Sequence, residues 1–340
     1  MQEIIGRLVA CEDLAESDMN SAMIEIMEGR STDAQTASFL TALRMKGETV
    51  DEITGAARVM REKALAIRPE LSEGEALVDT CGTGGDGTDT FNISTTVAFV
   101  TAGAGVKVAK HGNRAVSSRS GSADVLEALG VDIGLSSEGV RAAIEQVGIG
   151  FLFAPALHPA MKHAIGPRRE MGIRTVFNVL GPLTNPAGAN CQVMGVFHAS
   201  LVRPLAEVLG RLGSRRAWVV HGHGGMDELS VAGPSDVSEW TGSGVRDFTV
   251  TPGECGLGEW DMEELGGGTP DENAEIIRAV LSGETGARRD VVLLNAGAAL
   301  VVAGRAADMG EGVAMAGESI DSGRAARVLE DLVKFCGEAA

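Results

Sequence analysis

Apolar residues recur at three- and four-residue intervals through the first 70 or so positions of this 340-residue chain, without strand-like alternation. Ile4, Ile5, Leu8 and Val9 make the first stripe. Ser17 is placed to cap a second helix, which carries Met23, Ile24 and Met27 inward and stops at Gly29. Thr32 opens a third, with Phe39, Leu40 and Leu43 inside, ending at Gly47. Thr49 opens a fourth through Ile53, Ala56, Val59 and Met60 to about Ile67, ahead of Pro69. The expectation is a small helical domain over residues 1–70.

From Leu77 the pattern turns to strand, loop and helix in alternation. Short apolar runs at Leu77-Val78, Val106–Val108, Ile149–Phe153, Gln192–Phe197 and Ala217–Val220 read as strands. Between them, Thr96–Ala102, Ala123–Leu129, Gly139–Val147, His158–Met171 and Val202–Leu212 have helical spacing. Such alternation predicts a mainly parallel sheet covered by helices, with ligands beyond the carboxyl ends of the strands. Val237–Val250 reads as short antiparallel strands and Gly253–Gly268 as a loop. Thr269-Pro270-Asp271-Glu272 is a capping box, and helices follow at about 271–282, 290–303, 308–320 and 323–336. Val291–Val302 is apolar nearly all round, so it should be buried, and Asn295 within it needs a hydrogen-bond partner. The fold class is α/β: the helical domain, then a larger α/β domain over residues 71–340.

The chemistry concentrates between Val78 and Leu129. Gly82-Thr83-Gly84-Gly85-Asp86-Gly87 follows the first strand, and its amides can form an anion-binding nest. Asn92-Ile93-Ser94-Thr95 comes next, with Ser94 or Thr95 placed to cap the following helix, whose N-terminus suits phosphate. The second strand delivers Lys110-His111-Gly112-Asn113-Arg114 and the hydroxyls of Ser117, Ser118, Ser120 and Ser122. A dinucleotide site fits poorly, because polar residues separate the glycines from the helix and the next strand ends in Lys110 and His111. A Walker loop lacks its Gly-Lys-Ser/Thr. A glycine connection without a ligand explains the glycines, but not the polar groups gathered at adjacent element ends. The stretch predicts a phosphorylated substrate.

Two further segments carry charge. Residues 158–174 hold Lys162, Arg168, Arg169 and Arg174, and paired arginines are ordinarily a solvated basic face. His158 and His163 lack the spacing and the glutamate of a zinc motif. Asp227-Glu228 follows a glycine run, and adjacent carboxylates there suit either Mg²⁺ or an exposed acidic turn. His221 and His223, with no third ligand, read as loop residues.

A net charge of −18 argues against nucleic acid or an acidic membrane surface as a bulk partner, and it requires any anion site to be made locally positive. Five scattered cysteines without a CxxC pair fit a reducing cytoplasm. Residues 1–10 do not read as a signal peptide, and no apolar run approaches the roughly 20 residues of a membrane span.

GTGGDG, NIST, KHGNRAVSS and GSADVLEALG, in this order and spacing, resemble the anthranilate phosphoribosyltransferases of tryptophan biosynthesis. The resemblance covers almost the whole chain and is strongest at 79–130, 168–186 and 221–231. It implies a nucleoside phosphorylase/phosphoribosyltransferase-like fold in which part of 158–185 rejoins the helical domain and the site lies between domains. It implies transfer of the 5-phosphoribosyl group from phosphoribosyl diphosphate to the amine of anthranilate. By the same resemblance, phosphoribosyl diphosphate is bound by Gly82, Gly85, Asp86, Thr90, Asn92, Ile93, Ser94, Thr95, Lys110, His111, Gly112, Asn113, Arg114, Ala115, Val116, Ser117, Ser118 and Ser122. Anthranilate meets Gly82, Asn113 and Arg168, and Mg²⁺, two ions per chain, is held by Ser94, Asp227 and Glu228. A homodimer through the N-terminal helices is implied as well, although four amphipathic helices could equally pack only on their own chain. Pro167 departs from the aliphatic residue common at its position. Two other readings remain at this point. A pyrimidine nucleoside phosphorylase shares the fold but has a different lysine-containing phosphate motif. A non-enzymatic nucleic-acid-binding paralogue is disfavoured by Asp227-Glu228, Arg168 and the negative charge.

Overall fold

The computed structural model of the chain describes residues 1–115 and 119–339. Four helices come first: α1 (Gln2–Val9), α2 (Glu16–Met27), α3 (Asp33–Lys46) and α4 (Val50–Lys63). Thr32 and Thr49 open α3 and α4, as the sequence predicts, and form complete capping boxes with Gln35 and Glu52. Ser17 does not cap α2; Ala15 holds the N-cap position and Ser17 lies inside the first turn. Helix α4 also stops short of residue 67. The chain there runs out instead, with the Leu65 amide on the Leu157 carbonyl and the Ile67 amide on the Pro186 carbonyl, both at 2.9 Å.

The remainder runs β1 (Leu77–Asp79), α5 (Ile93–Gly103), β2 (Lys107–Gly112), α6 (Ser122–Ala128), α7 (Ser137–Gln146) and β3 (Ile149–Phe153). It continues through α8 (Ala154–Leu157), α9 (Lys162–Met171), α10 (Phe177–Leu183), β4 (Cys191–Gly195), α11 (Val202–Arg211) and β5 (Arg216–His221). The antiparallel pair β6 (Ser235–Trp240) and β7 (Val245–Val250) precedes α12 (Pro270–Leu281), α13 (Ala287–Val302), α14 (Met309–Asp321) and α15 (Arg324–Ala339). Seven strands form one sheet in the order β3-β2-β1-β4-β5-β6-β7. The first five are mutually parallel and the last two antiparallel, which makes the sheet mixed. The chain thus pairs an N-terminal helical bundle with a larger α/β unit.

Three sequence expectations shift locally. Helix α5 starts at Ile93 rather than Thr96, so Ser94 and Thr95 sit in its first turn and Asn92 occupies the N-cap without a side-chain cap bond. Strand β2 reaches Gly112, which places Lys110 and His111 inside the sheet rather than in a following loop. Residues 158–171 are not one helix: a 3-10 turn at Pro159–Met161 separates α8 from α9, and Pro167 is accommodated, buried, within α9.

Two large apolar cores sit on opposite faces of the sheet, beside a smaller cluster around Leu77, Ala109, Leu152 and Ile144. One gathers α5, α6 and α12–α15 with Val78, Val108, Val193 and Val220. The other joins α2, α3 and α4 to α9, α10 and α11 and to Met194 and Val219. Apolar residues of α9 and α10 share this core with the N-terminal helices. Among the described residues, no helix is long and apolar enough to cross a membrane.

Within the bundle, Glu52 is fully buried and bonds the amides of Leu14 at 2.9 Å and Thr49 at 2.8 Å, with the Lys46 ammonium 3.0 Å away. Removing Glu52 leaves the buried Leu14 and Thr49 amides without their acceptor, at a cost of about 1–3 kcal/mol, while Lys46 keeps Asp13 at 2.8 Å. Glu52→Ala is expected to lower the urea midpoint of the far-UV circular dichroism transition accordingly. A shift equivalent to less than about 1 kcal/mol would show that the network contributes little.

Candidate active site

The sheet order reverses direction between β1 and β4, and open α/β sheets bind ligands at the carboxyl end of such a switch point. The glycine-rich loop leaves β1 there, Lys110–Gly112 closes β2, and residues 196–198 leave β4. The loop has left-handed backbone at Gly84 (φ +64°), Gly85 (φ +73°) and Gly87 (φ +78°). Its Thr83 amide bonds the Gly195 carbonyl at 2.9 Å, and its Thr83 hydroxyl accepts the Phe197 amide at 3.2 Å.

Asp227 and Glu228, which follow β5, come directly against this loop. Gly84 donates its amide to Asp227 Oδ2 at 2.6 Å, and the Asp227 amide reaches Asp86 Oδ2 at 3.3 Å. Gly195 makes the approach possible: a Cβ there would lie 1.4 Å from the Asp227 carbonyl oxygen. Gly82 and Gly222 serve likewise, since Cβ atoms there would meet Asp227 Oδ2 at 2.5 Å and the Glu228 carbonyl at 2.3 Å. Burial and the nearby Asp86 carboxylate push Asp227 up to about 7. Burial and then Asp227 push Glu228 well above the usual carboxylate range, against the opposing pull of Lys110 and the Ser94 amide. Three crowded carboxylates of this kind are an unfavourable arrangement until a cation shares their charge. Their hard oxygens, with the Ser94 hydroxyl at the start of α5, fit Mg²⁺.

Lys110 is 3% exposed and is the cation that acts on Asp79, Asp227 and Glu228 together. Asp79, fully buried, accepts the amides of Cys81 at 3.1 Å and His111 at 3.2 Å and the Asn185 side-chain amide at 2.7 Å. Asp79, Cys81 and His111 place their ligand atoms within 4.8 Å of one another. The carboxylate is already spent on those donors, and burial raises the Cys81 thiol well above its ordinary range, so the group braces the strand ends.

On the α5 side, Thr80 Oγ1 donates to the Ser94 carbonyl at 3.0 Å, and Thr95 Oγ1 is buried without a partner. The Asn92 side chain is held by Ser120 at 3.2 Å and by Asn273 Nδ2 at 2.8 Å. Ile93 is buried, and Thr90 bridges to Gly266. Ser122 Oγ lies over Gly112 and donates to the Asn113 carbonyl at 3.3 Å. Asn113 itself is exposed, and Ala115 donates its amide to Asp124 at 2.9 Å. Arg114 turns away, with its guanidinium on Asp124 at 3.0 Å and on Glu127. Val116, Ser117 and Ser118 lie outside the described residues.

From the bundle side, Arg168 lies 4.9 Å above the Phe177 ring, and burial lowers its pKa. Among the described residues it has no carboxylate partner. Arg169 is exposed. Arg174 stacks on Phe197 at 4.2 Å and donates to the Gly85 carbonyl, which fastens the glycine loop to the segment before α10.

Sequence reasoning passed over the roles of Asp79, Arg174, Asn185 and Asn273, because each acts through a contact distant in sequence. It also read His158 only as a failed zinc ligand. His158 lies 5.2 Å from His111, ring to ring, and each has a buried Nε2 with no partner among the described residues. Burial holds His111 down to about 3 and His158 down to about 4, so both rings are neutral at pH 7.

The glycosyl transferase family's helical bundle domain matches residues 2–64, and its a/b domain matches residues 74–326. The anthranilate phosphoribosyltransferase of Geobacter sp. (strain M21) is 58% identical over 350 aligned positions, covering 100% of this chain and 99% of the relative. That of Pelotomaculum thermopropionicum is 56% identical, with 100% and 99% covered. The crystal structure of the Thermus thermophilus enzyme superposes with a TM-score of 0.93 at 47% identity, covering 98% of this chain and 99% of that one. The Saccharomyces cerevisiae enzyme in complex with PRPP and Mg gives 0.89 at 31% identity, covering 99% and 98%. On fold, site geometry and full-length similarity together, this chain belongs to the anthranilate phosphoribosyltransferase family.

Proposed function

We infer that the chain transfers the 5-phosphoribosyl group of phosphoribosyl diphosphate to the amine of anthranilate, giving N-(5-phosphoribosyl)anthranilate and diphosphate in tryptophan biosynthesis. The observation that carries the reading beyond kinship is the docking of Asp227 on the glycine loop, with Arg168 on the bundle side lacking a carboxylate partner among the described residues. The first is an arrangement for diphosphate with Mg²⁺, the second for an aromatic carboxylate.

In the reaction the ribosyl C1–O bond to diphosphate breaks and a C1–N bond to anthranilate forms. An arylamine is neutral at pH 7, so its lone pair is available without a strong base. Its proton can leave to solvent or to the released diphosphate once the bond has formed. Bound Mg²⁺ would neutralise charge developing on the departing diphosphate. The chain's own contribution is placement. The loop amides of Gly82, Gly85, Asp86 and Gly87, apart from those of Thr83 and Gly84 that bond the Gly195 carbonyl and Asp227, and the first turn of α5 present N–H groups to phosphate oxygens. Asp227, Glu228 and Ser94 hold the cation, and Lys110 sets the charge balance behind them. Two ions per chain are proposed, because Asp86, Asp227, Glu228 and Ser94 offer more oxygen donors than one Mg²⁺ uses alongside phosphate and water. Asn113 and Gly82 take up anthranilate together with Arg168, which meets its carboxylate. The helical bundle and the α/β unit act as separate domains, over residues 1–70 with part of 158–185 and over 71–340, and substrate enters between them. The five free cysteines, four of them buried, suit a reducing cytoplasm.

Asp227→Asn combined with Glu228→Gln should leave the fold intact and lower turnover by about a hundredfold or more, the scale at which a misplaced catalytic group is felt. The assay is loss of anthranilate fluorescence across a Mg²⁺ titration. Wild-type turnover at ordinary Mg²⁺ would reduce the pair to an acidic turn.

Arg168 and Arg169 separate cleanly, because neighbouring helical side chains point roughly 100° apart. Losing a charge-assisted hydrogen bond costs about 1.5–3 kcal/mol, or about ten- to a hundredfold in KM. Arg168→Ala should raise the anthranilate KM by that factor and spare phosphoribosyl diphosphate, while Arg169→Ala stays near wild type. The reverse ranking would mean that the carboxylate is held by the other arginine.

A homodimer through the N-terminal helices is also proposed. Val9 on α1 is 70% exposed and Met45 on α3 is 83% exposed, on helices that pack against each other. Val9→Glu with Met45→Glu is expected to give a monomer by light scattering where the parent chain is a dimer. A dimer that survives both charges lies elsewhere.

A further inference from the structure

Among the residues that α13 buries, Asn295 alone is polar; its neighbours are Val, Leu, Ala and Gly. An amide in such surroundings is costly unless its hydrogen bonds are made. Here they are. Asn295 Nδ2 donates to the Val291 carbonyl one turn back at 2.8 Å and to the Leu229 carbonyl at 2.8 Å. Its Oδ1 accepts the Leu229 amide at 2.9 Å. One side chain therefore takes both main-chain polar groups of a residue 66 positions away, as a neighbouring strand would.

Leu229 immediately follows Asp227 and Glu228. The Asp227 carbonyl rests in the space left by Gly195, and the Glu228 carbonyl in the space left by Gly222. Asn295 completes the series, so three successive residues have their main chain fixed by three different elements: β4, the turn after β5, and α13. The two glycines only make room. Asn295 supplies directional bonds, which set how the peptide is rotated and hence where the preceding carboxylates point. An apolar residue would fill the core equally well. It would leave the Leu229 N–H and C=O buried and unpaired, and the peptide would have to turn to find other partners.

We propose that Asn295 is a positioning residue for the metal-holding carboxylates of Asp227 and Glu228, fixing the Leu229 main chain so that Asp227 meets the glycine loop and Glu228 the first turn of α5. The inference rests on reading that pair as the Mg²⁺ site. Its contact is with backbone rather than with any ligand, so it should govern metal affinity and leave anthranilate binding alone.

Asn295→Ser and Asn295→Asp test it. A serine hydroxyl can bond the Val291 carbonyl within the helix but is too short to reach Leu229. An aspartate keeps an acceptor for the Leu229 amide but, even protonated, has a single O–H for the Val291 and Leu229 carbonyls that Asn295 serves together. Manganese binding is read by electron paramagnetic resonance in the presence of phosphoribosyl diphosphate, beside the half-activating Mg²⁺ concentration, the two substrate KM values and the thermal melt. Losing a partner that orients metal ligands typically weakens metal binding ten- to a hundredfold. Asn295→Ser should melt cooperatively, bind Mn²⁺ about tenfold more weakly, require correspondingly more Mg²⁺, and keep the anthranilate KM within about twofold. Asn295→Asp should fall between it and the parent. A folded Ser variant with parental Mn²⁺ affinity overturns the proposal. If the Ser variant does not fold, parental affinity in the Asp variant overturns it equally. A uniform rise in both KM values with no change in metal affinity would make Asn295 a general core residue. Asp227→Asn with Glu228→Gln serves as the control: parental Mn²⁺ binding there overturns the metal reading itself, a different failure from intact binding in the Asn295 variants alone.

Discussion

The main chain at Asp227 lies where a side chain on Gly195 would have to be. With 1.4 Å between the carbonyl oxygen and an idealised Cβ, only glycine at the end of β4 lets the loop after β5 reach the loop after β1. That approach brings the Gly84 amide onto the Asp227 carboxylate and the Asp227 amide onto Asp86. Without it the molecule would have a glycine loop on one strand and an acidic turn on another. With it there is one site, built across the point where the sheet order reverses.

Charge decides what that site can hold. The chain carries 47 acidic residues against 29 lysines and arginines, and many of the basic residues are spent on surface partners, such as Arg289 on Asp321 and Arg211 on Asp51. The cations around the cleft are used differently. Lys110 is buried behind three carboxylates, Arg168 lies on an aromatic ring, and Arg174 holds a carbonyl of the glycine loop. Local positive character in an acidic protein comes from one buried lysine and from two arginines engaged by a ring or a carbonyl rather than by surface acids. Arg114, a residue that the family resemblance implies for the substrate site, illustrates the opposite fate, since Asp124 and Glu127 take up its guanidinium.

What the sequence made legible follows from the range of the interactions. Caps at Thr32, Thr49 and Thr269 are local, and the residues that form them stand three apart. Hydrophobic period separated the helical bundle from the strand-and-helix region. Ser17 misled because a good capping residue two positions into a helix has the same local pattern as one at its start. The α5 start was misplaced for a related reason: Ser94 and Thr95 invite a cap, yet the tertiary strap from Leu265 and Asn273 to Phe91 and Asn92 starts the helix earlier. Asp79, Arg174 and Asn185 could not be read at all. Their partners are fixed by sheet order, and nothing in a single chain's spacing records which strand ends become neighbours.

The placement of titratable groups at the strand ends bears on the kind of catalysis the site supports. Asp79 is committed to two amides and an asparagine. His111 and His158 are kept neutral by burial, and Asp227 and Glu228 are crowded into a pair suited to a cation. General acid–base catalysis works best with a group whose pKa lies near the operating pH and which can reach the proton being moved. The histidines fall well below that range. Asp227, although near it, has a carboxylate oxygen engaged by the Gly84 amide. What remains is an array of fixed dipoles, buried cations and main-chain donors. A neutral arylamine attacking a sugar that carries its own leaving group asks for that kind of environment, because its barrier lies in bringing together and stabilising charge rather than in moving a proton.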